Sequence, residues 1–439
     1  MTKSMRLLGA GIAAAGALAL PTSAFAASNP AAGATSTPAV TLRANLSELL
    51  GAHAVLAQLA MEAGYSGAAD YTQLTSALNQ NTQELSQAVA SVYGSAAGSA
   101  FKKLWAGHIA DFVNYVVATK NHDAAGQQAA LKALTQYRAQ FSAFMAKANP
   151  NISAQALSAS LQVHVNQLIN TFKAYVAGNN SLAAQDFVAA YDHMFMSGDY
   201  LATAIAKQYP TKFMDSNPNT PAANLRLTLD QLLGAHAVLA QLAMETGFSG
   251  SPQYAAWGAA LSQNTNELSQ AIASVYGTAA GADFKKLWAG HIADFVNYVV
   301  ATKKNDPAGQ KAALSDLAQY KVQFATFLAG ANPHYNPAAL EQSLQVHVNQ
   351  LIATFNAFVH QNDAAAIPDF VTAYNHMFMS GSYLSSGIVQ QFPSKFGITM
   401  VPNATSPVTG IPYLPVMAIG SAIAVAGTAL LARTGRAAR

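Results

Sequence analysis

An internal duplication constrains this chain more than any other feature. The segment "FKKLWAGHIADFVNYVVATK" occurs at 101–120 and again, letter for letter, at 284–303, which is an offset of 183 residues. Three further segments repeat at this offset: "GAHAVLAQLAME" (51–62, 234–245), "SLQVHVNQLI" (160–169, 343–352) and "HMFMSG" (193–198, 376–381). Because the offset never drifts, the two copies align without gaps across these blocks and should adopt the same fold.

The duplication also sets the expected domain boundaries. We expect two homologous domains, residues 41–213 and 224–396, each of a size typical for one domain. Residues 214–223 are rich in Pro and Asn and predict a linker. Residues 27–40 and 397–410 have the composition of disordered spacers.

The hydrophobic pattern within each repeat is helical. Apolar residues recur at steps of three and four, as in Phe101, Leu104, Trp105 and Phe112, and no alternating pattern indicates a strand. In the first repeat the pattern predicts helices near 42–63, 71–93, 97–120, 124–148, 153–177 and 181–208, with Ser153 as an N-cap. The predicted fold is all-α: two tandem antiparallel helical-bundle domains of about six helices each, or of a four-helix core with two added helices.

Both ends of the chain predict an exported protein. Residues 1–26 have the pattern of a signal peptide, with Lys3 and Arg6 before a short apolar run and a cleavage site after Ala26. Residues 411–432 are long and apolar enough for a transmembrane anchor, and the basic tail 433–439 should stay on the cytoplasmic side. In "SPVTG", which resembles the cell-wall sorting signal Leu-Pro-x-Thr-Gly, Ser406 replaces the leucine. Anchoring on the extracellular face of the membrane is therefore favoured over attachment to the cell wall.

Charge and cysteine content exclude several classes of function. The signal peptide and the tail hold five of the 23 basic residues and no acidic residue, which leaves 18 basic and 20 acidic residues in the exported body. This balance does not suggest nucleic-acid binding. The chain has no cysteine, which excludes disulfides, thiolate metal ligands and cysteine nucleophiles.

Histidines are the strongest candidates for a functional site. Eight of the eleven histidines form four pairs at the offset of 183, and the four of one repeat lie near the middle of four different predicted helices. The predicted metal ligands are His53, His108, His164 and His193 in the first repeat and His236, His291, His347 and His376 in the second. Each lies among apolar residues and should point inward, and mid-helix is the height that antiparallel helices share. We therefore expect four histidines per repeat to form one layer that holds a transition metal.

Neighbouring residues bear on the choice of metal. Three methionines near the histidines recur at the same offset: Met61, Met194 and Met196, with Met244, Met377 and Met379. Thioether together with imidazole favours copper over zinc or iron. Asp111 and Asp294 each follow a histidine by three residues and are candidates to orient its ring. The alternative is that the histidines are hydrogen-bonded core residues and that the methionines only fill the core.

No catalytic motif accompanies the histidines. The Glu-x-x-His motif of ferritin-like di-iron sites, the hemerythrin pattern and the Cys-x-x-Cys-His motif of covalent haem are all absent. A Gly-x-Ser-x-Gly elbow, a P-loop and a dinucleotide-binding fingerprint are absent too. Binding, storage or buffering of metal is therefore favoured over catalysis.

Three blocks of each repeat resemble a known protein group. "LRANLSELLGAHAVLA", "LWAGHIADFVNYVVATK" and "YDHMFMSGDYLATAI" are similar to a helical repeat of secreted proteins from spore-forming Gram-positive bacteria, some of which carry the label copper amine oxidase. The resemblance implies secretion and points to copper. It does not extend to the motifs of the amine oxidase enzymes, since the nearest match to Asn-Tyr-Asp/Glu is "NYV" at 114–116 and there is no His-x-His.

The sequence thus leads to three hypotheses. The first is an exported cell-surface protein whose two helical bundles each bind a transition metal, with copper favoured. The second is a structural or adhesive surface protein in which the histidines are polar core residues. The third is a redox enzyme that uses the same histidines.

Overall fold

A computed structural model describes residues 30–399, and within this range the chain consists of helices and short connections, without a β-strand. Each repeat contributes six long helices. In the first repeat they are α2 (Pro38–Ser66), α3 (Tyr71–Tyr93), α4 (Ser95–Lys120), α5 (Ala124–Ala148), α6 (Ala154–Val176) and α7 (Asn180–Gln208). In the second they are α8 (Pro221–Ser249), α9 (Tyr254–Tyr276), α10 (Thr278–Lys303), α11 (Pro307–Ala331), α12 (Pro337–Val359) and α13 (Asp363–Gln391). A short helix, α1 (Pro30–Gly33), precedes them.

The all-α fold predicted from the sequence is confirmed. Each predicted helix of the first repeat begins and ends within four residues of the observed bounds. Ser153 is the N-cap of α6, because its Oγ accepts a hydrogen bond from the Ala156 amide. Helices α2 and α8 begin at Pro38 and Pro221, three residues before the predicted domain starts.

The predicted signal peptide and transmembrane anchor lie outside the described residues. Between residues 30 and 399, no helix combines the length and apolarity that a membrane crossing requires. Export and anchoring therefore stay predictions from the sequence.

Each repeat is built around its first long helix. Helix α2 is buried along most of its length and packs against α3, α4, α6 and α7. Consecutive helices are joined by connections of one to five residues, so neighbours run antiparallel and α2, α4 and α6 run in the same direction. Helix α7, the last long helix of the repeat, packs against α2, the first, and this contact closes the bundle. Helix α8 has the same central position in the second repeat.

The two repeats join through equivalent surfaces and share an apolar core. Helix α7 packs against α8 and α9, and α13 packs against α2 and α3. Tyr191 Oη donates a hydrogen bond to the Gln231 carbonyl at 3.1 Å, and the equivalent Tyr374 Oη donates to the Glu48 carbonyl at 3.0 Å. These reciprocal bonds give the interface an approximate twofold symmetry, as in a homodimer in which one surface patch meets itself. The described residues accordingly belong to one compact unit.

The segment before each repeat lies against the other repeat. Arg226 Nη1 donates to the Thr35 carbonyl, and the equivalent Arg43 Nη1 donates to the Pro218 carbonyl, both at 2.9 Å. Residues 27–40 were expected to be a disordered spacer, but the described part from residue 30 is packed, with Ala31 and Thr35 buried. The difference arises because these contacts join residues far apart in the chain, which local composition does not reveal.

A glycine at the repeat interface offers a test of this arrangement. A Cβ on Gly51 would lie 2.6 Å from Tyr374 Oη, whereas a Cβ on Gly107, inside α4, would meet nothing within 4 Å. We expect Gly51→Ala to lower the free energy of unfolding by about 1–3 kcal/mol through overpacking. The matched control Gly107→Ala should raise it by up to about 1 kcal/mol, because alanine favours a helix over glycine. Urea unfolding followed by circular dichroism measures both, and a stabilised Gly51→Ala protein would contradict the interface.

Candidate metal centres

Three of the four predicted histidines in each repeat meet in the core. In the first repeat, His53 on α2, His108 on α4 and His164 on α6 each place one ring nitrogen within 4.8 Å of the nitrogens of the other two. This set is called the first triad here. The second triad consists of His236, His291 and His347. All six side chains are buried, with at most 4% of any residue exposed.

The direction of the helices explains why these three histidines meet. Helices α2, α4 and α6 run in the same direction, and α2 contacts both of the others. Side chains near the middle of each helix therefore reach a common height when they face the space between the three helices. His108, for example, lies on the buried face of α4 with Trp105 and Phe112.

One nitrogen separation in each triad matches the spacing of two ligands on a shared metal ion. His53 Nε2 and His108 Nε2 lie 3.3 Å apart, and the equivalent nitrogens of His236 and His291 are also 3.3 Å apart. Two nitrogens bound to a tetrahedral ion at about 2.05 Å are themselves about 3.3 Å apart. If no ion is bound, one ring must donate its N–H to the lone pair of the other. That single bond leaves the third imidazole of each triad without a partner.

Several buried polar atoms around each triad lack a hydrogen-bond partner. Both ring nitrogens of His164 are unpaired, as are Nδ1 of His53 and His108, Trp105 Nε1 and Tyr137 Oη. The equivalent six atoms of the second repeat are unpaired too, on His236, His291, His347, Trp288 and Tyr320. An unsatisfied buried polar group costs about 1–3 kcal/mol, so such a cluster calls for an ion or ordered water. A metal ion satisfies three imidazole lone pairs at once.

Burial keeps the imidazoles of the first triad uncharged. Removal from water, and then a neighbouring histidine, lowers the pKa of His108 and of His164 to about 3. The pKa of His53 is lowered well below its usual value by burial and then by the two other rings. The Trp105 carbonyl opposes part of this shift in the pKa of His108. The neutral ring is the form that binds metals, so each triad presents lone pairs at neutral pH.

The pKa values of the second triad are shifted in the same direction. Burial lowers the pKa of His236, His291 and His347 well below the ordinary value, and another histidine of the triad adds to the effect in each ring. The two sites thus match in their electrostatics as well as in their geometry.

The fourth predicted ligand of each repeat lies outside the triad. His193 Nε2 contacts Ser160 instead, at 3.0 Å from the carbonyl oxygen and 3.1 Å from Oγ, and the residue is partly exposed. His376 repeats this arrangement with Ser343. Because Ser160 precedes His164 by one turn, His193 meets α6 about 6 Å along the helix from the triad. The expected single layer of four histidines is therefore corrected to a layer of three with a fourth ring one turn away.

The side chains expected to support the ligands have other positions. Asp111 and Asp294 are partly exposed, and neither forms a hydrogen bond with the histidine three residues before it. Met196 and Met379 are 68% and 65% exposed and point to solvent. Met194, in contrast, is buried and lines an apolar cavity that His164 also lines.

Two aromatic residues of each site were not predicted. The Trp105 ring lies 4.7 Å from the His53 ring and 4.8 Å from the His108 ring, measured between centroids. Tyr137 stacks on His108 at 4.5 Å with the planes 16° apart. Their counterparts are Trp288 and Tyr320. Helical periodicity predicts that such residues lie in the core but does not link them to a site. The one feature of the sequence that could have linked them is the recurrence of a tryptophan three residues before a histidine in both repeats.

The shifted pKa values predict how the stability of the metal-free protein depends on pH. His164 has a pKa near 3 when folded and about 6.5 when unfolded, so between these values only the unfolded chain binds the extra proton. Its contribution is therefore lost as pH falls from about 6.5 towards 3, at about 1.4 kcal/mol per pH unit. Carboxyl groups with a raised pKa act in the opposite direction, and the four with the largest upward shifts are Glu48, Glu62, Asp230 and Glu245.

A variant separates the histidine contribution from that of the carboxyl groups. As the pH falls below about 6.5, the free energy of unfolding of His164→Gln should decrease less steeply than that of the wild type, by about 1.4 kcal/mol per pH unit. The carboxyl groups are the same in both proteins, so they do not contribute to this difference. Urea unfolding at pH 7, 6, 5 and 4 in the presence of a chelator measures this slope. The exposed His334 provides the control, and His334→Gln should keep the wild-type slope. An unchanged slope in His164→Gln would show that the triad is not sealed from protons.

Comparisons with protein-family models, with curated proteins and with solved structures found no match to this chain. The two triads are therefore the features of this chain that point to a function, because the same three imidazoles, with the same unpaired atoms, occur in both repeats.

Proposed function

We propose that each repeat binds one transition-metal ion through its three buried histidines, so that the chain carries two. The observation that supports this most is the pair of Nε2 atoms 3.3 Å apart with a third imidazole, unpaired at both nitrogens, beside them. Imidazole ligands suit copper, zinc, nickel and iron. Copper is the metal we propose first, because the buried Met194 lines the cavity next to His164 and a thioether favours copper.

Binding and storage fit the sites better than catalysis does. The triad residues are at most 4% exposed, so a substrate larger than an ion has no direct path to them. Among the described residues, no carboxylate forms a hydrogen bond with a triad imidazole, and so no acid–base partner is in place. A tetrahedral ion with three histidine ligands keeps one open coordination position, as catalytic sites do. The burial of all three rings closes this position to larger substrates and favours holding an ion over turnover.

We also propose that the protein is exported and held at the cell surface. The support is in the sequence alone: the signal-peptide pattern of residues 1–26 and the apolar segment 411–432 with its basic tail. The N-terminal sequence of the protein from its native cells should begin at Ala27. Truncation after residue 410 should release the protein into the medium, and retention of the truncated protein by the cells would contradict membrane anchoring.

Tryptophan fluorescence provides a direct test of metal binding. The chain has three tryptophans, of which Trp105 and Trp288 lie within 5 Å of triad rings, while Trp257 packs against Phe187 at the repeat interface. In a Trp257→Phe protein the remaining emission reports only on the two triads. We expect Cu²⁺ or Co²⁺ to quench this emission with a stoichiometry of two ions per chain, checked by elemental analysis after dialysis.

Variants of single triads sharpen this test. His108→Ala should reduce the bound metal to one ion per chain, and His108→Ala with His291→Ala should abolish tight binding. His334→Ala is the matched control and should bind two ions, because His334 is exposed and lies outside both triads. If the folded wild-type chain retains no metal at all, metal binding is contradicted. The histidines are then polar core residues, and the hypothesis of a structural or adhesive surface protein is favoured.

A further inference from the structure

His193 and His376 have an environment unlike that of the triad histidines. Each is partly exposed, each sits on the last long helix of its repeat, and each ring contacts a serine of the preceding helix. For His193 the partners are the carbonyl and Oγ of Ser160, and for His376 they are those of Ser343. Two equivalent histidines thus lie between solvent and the buried triads.

The serine carbonyl determines which ring nitrogen is free. A carbonyl oxygen only accepts hydrogen bonds, so Nε2 of His193 must carry the proton and donate it to Ser160. Burial lowers the pKa of His193, which favours the neutral ring. The lone pair is then on Nδ1, which forms no hydrogen bond within the described residues and is not among the buried unpaired atoms. His193 therefore offers a metal-binding nitrogen that solvent can reach.

In the first repeat, a cavity joins Ser160, which this ring contacts, to His164 of the triad. Ser160 lies one turn before His164 on α6, and Ser160, His164 and Ser197 line the same cavity of about 50 Å³. Ser197 Oγ donates a hydrogen bond to the His193 carbonyl at 3.2 Å, which fixes this part of α7. His164 also has a free nitrogen. The Ser160 hydroxyl thus lies between the His193 ring, which it contacts, and a cavity that the unpaired imidazole of His164 also lines.

We propose that His193 and His376 are entry ligands, which capture a metal ion at the surface and pass it to the triad of the same repeat. The inference rests on the proposed function, since it concerns access to the triads. Nδ1 displaces one water of the hydrated ion, and His164 and then the other two triad rings displace three further ligands, His193 Nδ1 among them, as the ion moves inward and sheds its excess waters. The rings stay neutral throughout, so the transfer changes neither the charge nor the oxidation state of the ion. His193 is released at the end and is not a ligand of the bound ion.

The test separates the rate of loading from the amount bound, with Co²⁺ as the probe. Stopped-flow spectroscopy follows the visible absorption of Co²⁺ in the wild type and in the double variant His193→Ala with His376→Ala. We expect loading to slow by roughly tenfold or more, the size of effect seen when a contact that supports a metal ligand is lost. The final content should stay at two ions per chain. His334→Ala should load at the wild-type rate.

A second double variant controls for an effect of the alanine substitutions on folding. Asparagine in place of His193 and His376 has an amide that can still donate to the serine carbonyl, but it has no imidazole lone pair. His193→Asn with His376→Asn should therefore load as slowly as the alanine variant. Wild-type loading rates in both double variants would overturn the entry role, and so would a fall in final content, which would make the two histidines permanent ligands. A wild-type chain that binds no Co²⁺ would overturn the proposed function itself.

Discussion

Three uncharged imidazoles that face one another inside an apolar bundle are the constraint on which the rest of each repeat depends. Their burial removes them from water and lowers the pKa of each ring. The nitrogens that face one another can form only one hydrogen bond between them, so at least one of the three rings has no partner. The aromatic rings of Trp105 and Tyr137 close the site and bring two more unpaired polar atoms into it. A bound ion would take one lone pair from each of the three rings and would link the central helix α2 to α4 and α6, while the opposite ring N–H groups and Trp105 Nε1, which are donors, would need other partners such as ordered water. Metal binding and folding of the bundle should therefore be coupled.

The two copies differ at their interface although they agree at the triads. Gln231 Nε2 donates to Asp192 Oδ1 at 2.7 Å across the interface, and the positions equivalent to this pair hold Glu48 and Asn375. Each pair thus combines one amide with one carboxyl group, where two copies of the first repeat would place two carboxyl groups together and two copies of the second would place two amides together. The ion pairs also differ between the two repeats. Arg43 forms an ion pair with Asp199 on α7, whereas its counterpart Arg226 forms one with Asp230 on its own helix. These exchanges distinguish the two repeats and leave the six triad histidines unchanged.

Much of the fold and part of the site followed from the sequence. Apolar spacing located the six long helices of the first repeat, because amphipathic helices in a bundle leave a local periodic pattern, and the duplication carried them over to the second repeat. The same pattern placed His53, His108 and His164 inside, but it contains no information on the register between helices. His193 was therefore assigned to the same layer, although α7 meets α6 one turn away at Ser160. The contact of Arg226 with residue 35 was missed for a related reason, since pairing between distant segments depends on how the repeats dock.

Anomalous X-ray scattering from crystals of the metal-loaded protein tests the central claim most directly. Data collected at the absorption edge of the bound metal locate each ion independently of the protein model. The account predicts two peaks per chain, each about 2.0–2.1 Å from one nitrogen of each of the three triad histidines. Peaks bound by surface histidines such as His334, or cores that hold only water between the imidazoles, would contradict it.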